Sequence, residues 1–100
     1  MRTLIEYQNE LNKCVTLIRD IQYQQNANYT AVCKCEREYE RNKTIENGER
    51  LDTLYYTNDL LSKRYRELQE KYDTLKDIIH TIQEIECLKE QLDIMTTMFN

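Results

Sequence analysis

Four cysteines, one histidine and eight tyrosines are the side chains in this 100-residue sequence with chemistry to offer. Their spacing decides whether they use it. Cys33 and Cys35 stand two apart, so on a helix they point roughly 200° from each other and cannot bridge. The pair also lacks the two-residue gap of a redox or zinc motif. Cys14 and Cys87 do not complete a metal set, because no two of the four cysteines recur at a helical i,i+3 or i,i+4 spacing. Cys14 and Cys35 read as small core residues. His80 has no nucleophile or carboxylate pair placed to work with it, and next to an apolar seam residue it reads as a solvated side chain. No catalytic, cofactor-binding or metal-binding residue is assigned, no small-molecule substrate is expected, and the chain is expected not to be an enzyme.

Tyr39, Tyr65 and Tyr72 fall on apolar seams, where each hydroxyl needs an edge or a partner. Tyr55 and Tyr56 lie partly outside the seam and are candidates for an exposed contact patch. Asn28-Tyr29-Thr30 and Asn42-Lys43-Thr44 match the glycosylation sequon, but the stretch Met1 to Glu6 lacks the apolar core of a signal peptide and a chance match is expected. Four cysteines without a leader point to a reducing compartment, cytoplasmic or nuclear.

The elements that carry these residues are helical. Proline is absent and one glycine is present, so little interrupts a helix; charged residues make up 32% and hydrophobic ones 40%. That balance suits a coiled coil or elongated bundle. The net charge of −4 and the absence of a basic block argue against nucleic-acid binding. The most apolar stretch, Ile78 to Phe99, is interrupted by His80, Gln83, Glu84, Glu86, Lys89, Glu90 and Asp93 and is not expected to span a membrane. Its last part, Asp93 to Asn100, ends on Met98 and Phe99 and reads either as a docking tip or as part of a longer coil.

Thr3-Leu4-Ile5-Glu6 has the form of a capping box. An apolar seam then alternates three and four residues through Leu4, Tyr7, Leu11, Cys14, Ile18 and Ile21. Ile5, Val15 and Leu17 widen it, which suits a bundle of three or four helices. Between Gln22 and Thr30 the seam turns polar, with Gln25 and Asn28 in its positions. That stretch is either a frayed loop or a buried polar layer that sets register. Val32, Cys35 and Tyr39 resume the same phase.

A second seam runs through Leu51, Leu54, Asn58, Leu61, Tyr65, Leu68, Tyr72, Leu75, Ile79 and Ile82. Past Ile82 the phase slips, and Ile85, Leu88, Leu92, Met95 and Phe99 continue three residues out of step, as in a stammer. Pairs at i,i+4, such as Lys34/Glu38 and Lys63/Glu67, line the outer faces.

Asn47-Gly48 is the strongest turn signal in the chain. The expected fold is therefore all-α, one module: a helix over about 3–46, a turn at 47–49 and a helix over about 50–98. Reflection about Gly48 sets Leu4 against Leu92, Cys14 against Ile82 and Asn28 against Leu68. Two antiparallel helices of ~43 residues would measure about 65 Å, whereas the alternative, one unbroken helix pairing in parallel, would reach roughly 145 Å. Either leaves apolar surface that further helices must cover, so a coiled-coil or four-helix-type assembly is expected.

The function expected is that of a non-enzymatic scaffold subunit that binds itself or other helical proteins inside a larger complex. The alternative is an oligomerisation segment of a viral or membrane-associated structural protein. Leu4, Leu11, Ile18, Ile21, Leu61, Leu68, Leu75, Ile82 and Leu92, with Tyr55 and Tyr56, are the residues expected at the interface.

Overall fold

The first helix starts where the sequence offers a cap. In the computed structural model, which describes residues 2–99, Thr3 is extended and its Oγ1 accepts from the Glu6 N–H at 3.2 Å. That satisfies one of the free donors of the first turn. Helix α1 then covers Leu4–Arg41 and helix α2 covers Ile45–Phe99. No strand occurs among the described residues. The Glu6 carboxylate faces Arg2 at 3.9 Å.

The connection is Asn42-Lys43-Thr44, not the expected 47–49 around Gly48. Two side chains explain the difference. Thr44 Oγ1 accepts from the Asn47 N–H at 3.1 Å, which makes Thr44 the cap of α2. Asn47 then reaches back, and its Nδ2 donates to the Asn42 carbonyl at 2.9 Å. Asn42 is itself extended, with φ −145° and ψ 92°, and donates its N–H to the Glu38 carbonyl. Asn47 thus clasps the turn from inside the helix that follows. Gly48 lies in the first turn of α2 with no positive φ, so its freedom to turn left-handed is not used.

After the turn, α2 runs back alongside α1. Cys14 Sγ lies 3.7 Å from the Leu68 carbonyl, Asn28 Nδ2 donates to the Leu54 carbonyl at 3.2 Å, and Cys35 Sγ lies 4.0 Å from the Asn47 carbonyl. All three pairs are centred on Arg41. The register therefore differs from the one obtained by reflection about Gly48. Cys14 meets Leu68 rather than Ile82, and Asn28 meets Leu54 rather than Leu68, each a displacement of two heptads. A heptad repeat returns to phase after every seventh residue, so apolar positions face each other in both registers.

The stretch Gln22–Thr30 is continuous helix and contains no loop. Asn28 is buried there, and half-buried Gln25 shares the interface. On α2 the polar member at this level is half-buried Thr57. Asn58, expected in the seam, is exposed. The interior is narrow. Cys14, Leu68 and Leu75 form its centre, with Tyr7, Leu11, Ile18, Ile21 and Tyr72 packed around them. Leu51, Cys35 and Ile79 are the other buried apolar residues among those described.

Because the turn falls well before the middle of the chain, the two helices are unequal. α1 has 38 residues and α2 has 55. The same centring brings Leu4 level with Ile78, and from Gln83 to Phe99 every residue of α2 is exposed. These residues project about 25 Å past the start of α1. The long dimension of the molecule is 85 Å against 20 and 14 Å across, a length set by α2 alone.

Candidate interaction surface

The projecting end of α2 carries the largest group of uncovered apolar side chains. Ile85, Leu88, Leu92, Met95 and Phe99 follow one another at spacings of three and four. Leu88 and Leu92 are each 63% exposed and Phe99 is 84% exposed. Ile94 and Met98 are exposed as well. On a helix this spacing draws the five into one stripe.

The stripe does not continue the face that packs on α1. That face passes through buried Leu75 and Ile79 and half-buried Ile82. Extended, it would bring Glu86, Lys89 and Asp93 to the same side. The apolar residues stand one position earlier, about 100° round the helix. Measured against the buried positions, the slip past Ile82 is thus one place and not three. It occurs where α1 stops. One apolar face of α2 serves α1, and a different one begins where α1 no longer reaches.

The leucines and isoleucines expected at the interface divide between two settings. Leu4, Leu11, Ile18, Ile21, Leu61 and Ile82 are half-buried on the α1–α2 side, and Leu68 and Leu75 are buried there. Leu92 is on the projecting stripe. Tyr56 is exposed. Tyr55 is tied to the other helix, its hydroxyl donating to Glu36 Oε1 at 2.7 Å. That hydrogen bond to a carboxylate holds the proton on the phenol and raises the Tyr55 pKa, with lesser help from desolvation. Ile85 and Leu88 share Leu92's setting but lie outside the residues expected at the interface, while Met95 and Phe99 fall in the stretch read as a docking tip or longer coil. The signal for them in the sequence is the phase slip itself. The docking tip expected at the C-terminus also takes in Asn100, which lies outside the described residues.

Polar contacts around the paired helices are peripheral. Arg2 Nη1 meets Glu10 Oε2 at 2.8 Å, and this hydrogen bond raises the pKa of Arg2 and lowers that of Glu10. Arg50 and Glu38 join the helices near the turn at 3.8 Å. Glu38 thus pairs across the helices rather than with Lys34, and Glu67 pairs with Arg64 at 3.6 Å rather than with Lys63 or Lys71. His80 Nε2 lies 3.0 Å from Glu84 on the exposed side.

The residues with chemical potential are dispersed. Cys14 and Cys35 are buried, Cys33 is half-buried and Cys87 is exposed, all as free thiols. Among the described residues, no three His, Cys, Asp or Glu side chains converge as a metal site would require. Grooves between the helices, such as the one lined by Val15, Ile18, Gln69 and Tyr72, are open to solvent along their length. Asn28 of the first sequon is 8% exposed and spends its amide on Leu54, so it offers no acceptor for a glycan in this fold. No helix among the described residues is long and apolar enough to cross a membrane. Comparison with known families, with curated proteins and with solved structures finds no match for this chain.

Proposed function

We propose that the chain is a non-enzymatic interaction module, a helical hairpin whose projecting end holds another helix in register within a larger assembly. One observation carries this reading. A stripe of five large apolar residues lies bare on α2, beyond the reach of α1 and turned away from the face α1 covers. Burying apolar surface contributes about 25 cal/mol per Å², so leaving a contiguous stripe in water is costly unless a partner covers it. A helical partner fits the stripe best, because its spacing is that of knobs entering holes on a facing helix.

The test is site-specific photo-crosslinking in the cell. A photoreactive side chain in place of Leu92 should give adducts that map to a heptad-bearing helical segment, of this chain or of another protein. The same group in place of Lys63, on the exposed side of the paired region, should give few. Equal labelling from both positions, or no protein adduct from Leu92, would overturn the reading.

A further inference from the structure

The occupant of the stripe can be named from the residues that border it. We infer that residues 82–99 of α2 pair with the same segment of a second copy, in parallel and in register; this rests on the module reading given above. Taking Ile85, Leu92 and Phe99 as one set of core positions and Leu88 and Met95 as the other gives two heptads of unbroken apolar layers. The first layers set a β-branched Ile85 and a leucine, Leu88, in the positions that favour two parallel strands. The flanks agree with this choice. Glu84 precedes the first core position by one residue, and Lys89 follows Leu88 by one. In a parallel in-register pair those two flanking positions meet across the interface, five residues apart in sequence. Glu84 of each copy then faces Lys89 of the other, twice by symmetry.

An antiparallel pair that keeps the same layers sets Lys89 against Lys89 and Glu84 against Met98. Like charges oppose it where opposite charges favour the parallel form. Met98 flanks the last layer and extends the apolar contact in the parallel pair, and Ile94 remains outside it. The chain's own α1 does not obstruct the approach. The stripe is turned about 100° from the face that holds α1, so a partner helix lies beside the projecting end and not where α1 would have continued. Glu84 contacts His80 on its own helix at 3.0 Å, and both side chains are mostly exposed and free to reorient.

The purified full chain should have twice the mass of one chain by sedimentation across micromolar concentrations. Leu88→Asp with Leu92→Asp should reduce it to a monomer that keeps its far-ultraviolet helical signal, since neither residue touches α1. Glu84→Lys alone and Lys89→Glu alone should each weaken the dimer roughly tenfold, and the two together should restore it. Orientation is read with Leu88→Cys in a chain carrying Cys87→Ser. Oxidation should link the introduced thiol to its own counterpart in the second copy, whereas a mixture of Leu88→Cys and Leu92→Cys chains should link no faster than either alone. A monomeric wild-type chain, a dimer indifferent to the aspartates, a double charge swap that fails to recover, or preferential linkage between positions 88 and 92 would each overturn the proposal. A monomer that still crosslinks in the cell through Leu92 to a different protein would remove the second copy and leave the module reading standing.

Discussion

Asn28 occupies a position that an apolar residue would otherwise fill, and its amide donates to the Leu54 carbonyl across the helices. A net hydrogen bond of this kind contributes about 1 kcal/mol, less than a well-packed leucine would. Its value lies in discrimination. Sliding α2 by two heptads would keep apolar positions opposed, but it would carry Leu68 to Asn28 in place of Leu54. The Leu68 carbonyl would still accept, but half-buried Thr57 beside Gln25 would give way to Lys71, whose charge would have to leave water. A buried polar group with one good partner is a known way to choose among registers. Replacing Asn28 with Leu should therefore leave thermal stability unchanged or raise it by about 1 kcal/mol. It should also broaden the distance distribution between spin labels at Asn9 and Asp73, which lie on opposite helices. A distribution as narrow as that of the wild type would show that the apolar layers fix the register without help.

At the scale of the element, the start of α2 separates two readings of one dipeptide. Asn47-Gly48 has the composition of a turn, yet the break falls at Asn42-Lys43-Thr44 because Thr44 caps the helix and Asn47 returns to Asn42. Gly48 is helical, and a Cβ placed on it would sit 3.4 Å from the Tyr39 ring, an ordinary contact. Gly48→Ala should then raise stability by about 0.5–1 kcal/mol in chemical denaturation, through helix propensity. A loss of similar size would mean the residue needs a left-handed backbone. The same two residues show what a sequence can disclose. The two seams, the Thr3 cap and the continuation of α1 in a single phase are all periodic or local signals, and each is visible in the residues. The site of the turn depends on which of two adjacent polar clusters wins, and the register depends on that turn. A strict heptad pattern is blind to shifts of whole heptads, so nothing in the seams alone could expose the error. The projecting stripe is visible in the sequence as a phase slip. Its significance is not, because equal helices would have buried it.

For the whole molecule the decisive quantity is the inequality of the helices. A chain of this composition folded into equal arms would measure about 65 Å, and the structure measures 85 Å with its apolar residues bare at one end. Removing residues 84–100 should leave the paired helices folded, because the buried residues all lie between Cys14 and Ile79. Solution scattering on that shortened chain should give a radius of gyration below the 23.6 Å of the full-length fold, with a single cooperative melt retained. A shortened chain that loses its helical signal would show that the far end of α2 stabilises the body and is not a separate adhesive. The lopsided outline also bears on growth. One tip is sticky, while the opposite tip shows polar Asn42, Lys43 and Thr44 with Ile45 as a solitary greasy neighbour. Once two such tips have paired side by side, each covers the other's stripe and no vacant hook is left for a third arrival. On the pairing proposed, the particle finishes itself at a fixed size and cannot run on into a fibre.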